Sequence, residues 1–263
     1  MIRIYLIRHG QSLYQSLKIV SGMNEYGLSG LGKVQSKNIG KKLSAIKFDQ
    51  VYSSDFKRCI ESYEIIENEL KYKPTQVIYT PVLRERDPGN DLLKSYSEVY
   101  PLQTQPILDK QNNAETSEQI QLRAKFFFDQ LITQQLYQQP FQNLSLDSKN
   151  LMILTSPTYE SNCSPYAIRS YVQAAQQFSS LQKSNSSTNI MAISHAGFIT
   201  EAIQYLYKHQ NIKFTDGLQP AIYARNGALF LLEIQAQTLD DWKCNIYLRN
   251  YSKNMNAPFE SIV

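Results

Sequence analysis

Apolar runs and helical periodicities alternate along the first half of this chain. Ile2–Ile7 is a short stretch of β-branched and aromatic residues, which predicts a strand. Within Leu28-Ser29-Gly30-Leu31-Gly32, the serine offers a cap to a helix running to about Leu43. Val34, Ile39 and Leu43 are near-helically spaced and are predicted to face the sheet. Phe48–Ser53 predicts a second strand. Ser54 or Asp55 then caps a helix running to about Leu70, with Arg58 in its first turn. Val77-Ile78-Tyr79 is a third strand. Periodicity fades between Asp87 and about Ala114, where Pro88-Gly89-Asn90-Asp91 marks a turn. It returns as a helix over Ile120–Leu136, with Leu122, Phe126, Phe127 and Leu131 as the core-facing stripe.

From about Gln138 to Thr188 the chain is rich in Gln, Ser and Asn, the composition of an insertion on a common domain. Leu151–Leu154 is read there as a short strand, Tyr166–Leu181 as a helix and Ser184–Ser187 as a surface loop. The earlier pattern then resumes, with a strand at Asn189–Ser194 and a helix at Phe198–Tyr207. Ala228–Ile234 and Lys243–Arg249 are read as adjacent strands joined by a turn around Thr238–Asp241, and Asn254–Val263 as a poorly ordered tail. No internal repeat of fixed period is apparent. Strands alternating with helices predict an α/β fold, and 263 residues suit one domain, 1–263, carrying a polar insertion at about 138–188.

Composition narrows the partners. A net charge of +4, spread along the chain, argues against nucleic acid but suits a local anion pocket. No apolar run approaches the roughly 18 residues of a membrane span, and Met1–Tyr5 enters the first strand with no leader. Cys59, Cys163 and Cys244 are scattered and lack metal-ligand spacing, which predicts reduced structural thiols in a cytoplasmic protein.

The candidate chemistry lies at two strand ends. The chain has three histidines; His209 sits between Lys208 and Gln210 at a polar helix end and is read as ordinary surface. The other two follow apolar strands, in Arg8-His9-Gly10 and Ser194-His195-Ala196-Gly197. Ligands of open α/β sheets sit at the carboxyl ends of strands, so the two distant segments are predicted to build one site.

Arg8-His9-Gly10 resembles the signature of the histidine phosphatase superfamily, also called phosphoglycerate mutase-like. Val51–Arg58, Leu83-Arg84-Glu85-Arg86 and Ser194-His195-Ala196-Gly197 resemble its second arginine, acid and second histidine segments, in the family's order. The resemblance covers roughly 1–130 and 188–250. It implies a three-layer α/β/α fold with a mostly parallel central sheet and helices on both faces. It also implies a phosphomonoesterase acting through a phosphohistidine, with His9 as nucleophile and Glu85 as general acid and base. Arg8 and Arg58 are permanently cationic forks suited to phosphoryl oxygens. His195 adds a hydrogen bond to the phosphate, which it donates once protonated. Such a cluster substitutes for metal ions, so no metal or cofactor is implied. The partner is a small phosphorylated metabolite.

Ser-His-Ala-Gly is similar to the mutase and sugar-bisphosphatase branch. The acid segment, Glu115-Thr116-Ser117, Gly22 and the helix entry after Leu28 most resemble TIGAR-like fructose-2,6-bisphosphatases. Arg84 before Glu85 favours a hydrolase over a mutase. Gln15, Gly22, Arg84 and Gly197 are the candidate substrate-binding residues, and Lys57, Arg84 and Arg86 are candidates for a second phosphate. Gln11-Ser12, Gln15 and Asp87-Pro88-Gly89-Asn90 depart from the family pattern. Three readings stay open: a sugar-bisphosphate or glycerate phosphatase, a broad-specificity phosphatase or phosphoglycerate mutase, and a non-catalytic protein-binding member.

Overall fold

Two parallel strands that are buried on both faces organise the molecule. In the computed structural model, β1 (Ile2–Arg8) and β4 (Thr188–Ser194) pair in register from Ile2↔Thr188 to Arg8↔Ser194. The structure describes residues 1–22, 26–75, 77–99, 113–137, 187–209, 213–214, 224–236 and 242–249. Between β1 and β4 in sequence lie α1 (Leu13–Ser16), α2 (Gly30–Leu43), β2 (Gln50–Ser53), α3 (Lys57–Glu69), β3 (Val77–Tyr79), α4 (Tyr96–Val99) and α5 (Ser117–Tyr137). After β4 come α6 (Ala196–His209), β5 (Lys213–Phe214), β6 (Leu229–Ala236) and β7 (Trp242–Arg249). The seven strands form one sheet in the order β3-β2-β4-β1-β6-β7-β5. β3, β2, β4 and β1 run parallel, β6 is antiparallel to β1 and β7, and β5 is parallel to β7.

The period-two alternation of strand side chains sorts the core into two halves. Ile2, Ile4 and Leu6 of β1, with Ile190 and Ala192 of β4, pack under α5 and α6 through Phe127, Leu131, Phe198 and Ile203. Tyr5 and Ile7, with Met191 and Ile193, pack under α2 and α3 through Ile39, Leu43, Tyr63 and Ile66. This is the expected three-layer α/β/α arrangement.

Several local expectations are corrected. Val34 is 56% exposed; α2 instead turns Gly32, Ser36, Ile39, Gly40 and Leu43 inward. Small residues face the sheet because the backbone approaches closely: a Cβ on Gly40 would crowd the backbone of Ile66 on α3. Phe56, not Ser54 or Asp55, is the N-cap of α3, and it makes no side-chain cap bond. On α5, Leu122 is only partly buried, while Ile120, Arg123, Ala124 and Phe128 join the buried face. α1, β5 and the capping box of Ser12 with Gln15 are elements the sequence reading lacked. The strand at Leu151–Leu154, the helix at Tyr166–Leu181, the turn at Thr238–Asp241 and the tail at Asn254–Val263 fall outside the described residues.

Candidate active site

Register converts distant sequence into one site. Because Arg8 pairs with Ser194, and Ser53 with Ile193, β1, β4 and β2 end side by side. The residues that follow are His9, His195 and Ser54. Backbone bonds continue the alignment past the strand ends, from the His9 N–H to the Ser194 carbonyl and from the Ser54 N–H to the Ile193 carbonyl, at 3.0 and 2.9 Å. α3 then delivers Arg58 from its first turn to the same place. The ring centroids of His9 and His195 stand 4.9 Å apart.

The turn after β1 is pressed against the start of α2. A Cβ on Gly10 would fall on the Gly32 carbonyl oxygen, and one on Gly32 would fall on that of Gln11. Glycine at both positions therefore permits backbone to meet backbone. The Gly10 N–H donates to Ser62 Oγ of α3 at 3.1 Å, so α2 and α3 together hold the segment bearing His9.

The bonds of His9 assign its tautomer. Nδ1 lies 2.6 Å from the Gly10 carbonyl oxygen, which can only accept, so Nδ1 carries the proton. Nε2 keeps its lone pair. His9 is 1% exposed, and its pKa is pushed well below the usual 6.5 by burial, then by the positive charges of Arg58 and Arg8. A neutral imidazole with Nε2 unprotonated is the nucleophilic form.

His195 is also buried and held neutral, first by burial and then by Arg58, His9, Arg8 and Arg123. Arg58 Nε donates to His195 Nδ1 at 3.2 Å, so the remaining ring proton is on Nε2. That N–H donates to Ser54 Oγ at 2.8 Å, with Cys59 Sγ 3.4 Å away. His195 therefore presents an acceptor at Nδ1; donation to phosphate from that atom requires a second proton or a tautomer switch. The Arg58 guanidinium also donates to the Gly22 carbonyl at 3.1 Å and lies 4.7 Å from the centre of the Phe56 ring. Arg8 is 4% exposed, and its Nη1 donates to the Ala224 carbonyl.

Glu85 sits on an irregular stretch after the 3₁₀ turn Pro81–Leu83. Its Oε1 accepts the N–H groups of Arg86 and Gly197, at 2.9 and 2.8 Å. Gly197 is in the first turn of α6, two residues after His195, and a Cβ there would fall on Oε1. The carboxyl is thus anchored through Oε1 to the first turn of α6.

The remaining candidates have other partners. Arg84 forms a two-pronged ion pair with Asp55, and Arg86 bonds Glu201 at 2.9 Å and Ser117 at 3.0 Å. The Gln15 side chain accepts the Ser12 N–H and the Asn226 amide, at 3.1 and 2.8 Å. Gly22 supplies its carbonyl to Arg58, and Gly197 its N–H to Glu85. Sequence reasoning missed the roles of Ser54, Cys59, Asn226, Glu201 and Arg123 around this cluster. Ser54 stood in the arginine segment but was read as a helix cap; the others carry no local signal, because their partners are remote in sequence.

Behind the acid segment lies a buried ion pair. Arg123 Nε and Nη2 bond the two carboxylate oxygens of Glu115 at 2.6 and 2.7 Å, and the side chains are 1% and 0% exposed. Removing one partner alone leaves an uncompensated buried charge, at a cost of about 3–5 kcal/mol.

Two buried, neutral histidines make stability depend on pH. Their folded pKa values lie below the unfolded value of 6.5, so below that pH the unfolded chain binds more protons. Stability should therefore fall as the pH drops below about 6.5, by up to about 1.4 kcal/mol per pH unit for each histidine. Urea midpoints measured from about pH 7.5 to 5 check this. His195→Gln should reduce the slope, and an unchanged slope would contradict the assignment.

The comparisons with known proteins agree with this geometry. The family model of the histidine phosphatase superfamily (branch 1) matches residues 4–139. A broad-specificity phosphatase of Saccharomyces cerevisiae is 36% identical over 90 residues, 34% of this chain and 39% of that protein. The fructose-2,6-bisphosphatase TIGAR of Xenopus tropicalis is 31% identical over 138 residues, 48% of each chain. The chain thus spans about half or less of the length of these relatives. In fold it is similar to a phosphoglycerate mutase of Bacillus anthracis, with a TM-score of 0.57 at 16% identity over 88% of this chain and 87% of that one. A mycobacterial glucosyl-3-phosphoglycerate phosphatase gives a TM-score of 0.58 at 15% identity, over 94% and 98% of the two chains. Since the family model spans more than half of its residues, the chain belongs to the histidine phosphatase superfamily.

Proposed function

We propose that the protein is a phosphomonoester hydrolase working through a phosphohistidine. The observation that carries this reading is the state of His9. It is neutral, its Nδ1 proton is fixed on Gly10, its Nε2 keeps a lone pair, and the charges of Arg58 and Arg8 act on the ring. In the first step Nε2 attacks phosphorus while the ester P–O bond breaks. Glu85 gives its proton to the departing oxygen, and the arginines hold the other phosphoryl oxygens. In the second step water attacks the phosphohistidine, Glu85 takes the water's proton, and the N–P bond breaks to release phosphate and restore His9. Retention of Arg8, His9, Arg58, Glu85 and His195 together favours catalysis over a purely protein-binding role. Cytoplasmic placement belongs to the same proposal, supported by the buried thiols of Cys59 and Cys244. No helix among the described residues is long and apolar enough to cross a membrane.

For the substrate, similarity to TIGAR supports fructose 2,6-bisphosphate, hydrolysed at the 2-position. A specific observation favours a second reading, a broad-specificity phosphatase: Arg84 and Arg86, two of the three cations (with Lys57) proposed for a remote phosphate, are paired with Asp55 and Glu201. The deciding experiment compares kcat/KM for fructose 2,6-bisphosphate, 2,3-bisphosphoglycerate, fructose 6-phosphate and para-nitrophenyl phosphate at fixed ionic strength. A second anion site should favour a bisphosphate by about ten-fold or more, the worth of one charge-assisted hydrogen bond. Equal turnover of a monophosphate supports the broad-specificity reading. Release of phosphate from none of them overturns the hydrolase.

A further inference from the structure

The proposed acid, Glu85, lies on backbone that belongs to no helix or strand: residues 85–87 have neither ladder nor helical bonds to fix them. Its place must come from side chains that satisfy the local backbone. Three consecutive carbonyls just before and beside Glu85 are taken this way. Arg123 Nη1 donates to the carbonyls of Val82 and Arg84, at 2.7 and 3.0 Å. Ser194 Oγ donates to that of Leu83 at 2.7 Å, and Ser194 immediately precedes His195. On the far side of Glu85, Asp87 exchanges two hydrogen bonds with Glu115: its N–H donates to the side-chain Oε2 of Glu115 at 3.3 Å, and the Glu115 N–H donates to its carbonyl at 2.9 Å. Glu115 is itself clamped by the other two nitrogens of Arg123.

One guanidinium thus touches both ends of the loop, directly at Val82 and Arg84 and through Glu115 at Asp87. It is 1% exposed, stacks over the Phe198 ring of α6 at 5.4 Å, and bonds neither His9 nor Glu85 by side chain. A lysine has the charge but not the planar fork needed to serve a carboxylate and two carbonyls together.

We propose that Arg123, with Glu115, is the positioning residue of the general acid, setting the Glu85 carboxyl against the leaving oxygen without contacting substrate. The proposal rests on the hydrolase reading above, and it predicts a defect confined to the proton-transfer part of the reaction. A displaced acid costs most where the leaving group needs a proton. The probes are para-nitrophenyl phosphate and phenyl phosphate, which are similar in shape and differ in leaving-group basicity. The variants are R123K, the paired change R123M/E115Q, which removes both buried charges, and E85Q as reference.

For R123K and the paired variant, kcat on phenyl phosphate should fall by roughly a hundred-fold, as for a catalytic group displaced by about an ångström. On para-nitrophenyl phosphate the loss should stay below about five-fold, since a nitrophenolate departs with little help. KM should change little on either substrate. Equal losses on both substrates, or none, in variants that melt cooperatively would overturn the positioning role, provided E85Q shows the leaving-group bias. Should E85Q lose equally on both substrates, it is the acid assignment of Glu85 that fails. If the paired variant does not fold, R123K, which keeps a positive charge beside Glu115, decides by the same ratio.

Discussion

Alanine at position 9 should lower phosphatase turnover by at least about 10⁴-fold, the scale on which removal of a covalent nucleophile acts. The alanine variant retains Arg8 and Arg58, so phosphate esters should still bind with a KM within a few-fold of the parent. Their P–O bond then has no internal nucleophile to break it. The side chain of His9 holds one hydrogen bond, to the carbonyl of the next residue, so its removal leaves few buried polar groups without partners. The fold should survive, and circular dichroism and melting should match the parent. Rapid quenching of the parent without acid should trap phosphate on His9. An alanine variant with most of its activity, or phosphate on another residue, would sink the nucleophile assignment.

Glutamine in place of Arg58 is the second large effect expected. Arg58 has two jobs in this geometry. It orders His195 and the Gly22 carbonyl through its Nε and Nη1 bonds, and its charge helps keep His9 unprotonated. Loss of a charged group that stabilises transition-state oxygens costs roughly 10²–10³ in kcat. A shift in pH dependence should accompany it. Since Arg58 lowers the His9 pKa, its removal raises that pKa, and the acid limb of kcat/KM should move to higher pH. Arg58→Lys should restore most of the pH profile, because charge is retained, but less of kcat, because the fork is lost. A loss below about five-fold with an unmoved acid limb would remove Arg58 from the phosphate-binding set.

Much of the site was legible because its chemistry sits at the ends of regular elements. A strand signal followed by Arg8-His9-Gly10, and another followed by His195-Ala196-Gly197, needs only the geometry of a parallel sheet to bring the histidines together. The pairing of Arg8 with Ser194 supplies it. The helix carrying Arg58 was equally visible, although its cap was misassigned. Ser54 hydroxyl chemistry is spent on His195 and on the Phe56 N–H, and a sequence window has no means of weighing a helix cap against a partner 141 residues away.

Val34 failed for a related reason. Spacing marks a helix face, but which face turns inward depends on what packs there. Backbone of α3 and of the Gly10 turn comes so close to α2 that Gly32, Ser36 and Gly40 win the inner positions.

The sequence by itself determined the alternating α/β elements, the two histidines and the order of the cationic and acidic segments, since each depends on neighbours a few residues away. Tertiary structure decided how charge is distributed among them. Arg84 and Arg86 look like free cations beside Glu85 until the fold delivers Asp55 and Glu201 to them. Arg123 has no sequence signal of its own, and the Glu115 segment none beyond a resemblance, until the fold buries the two as an ion pair against the loop that carries the acid. A charge becomes structural or available only when its surroundings settle whether water or another ion solvates it, and those surroundings come from segments far apart in the chain.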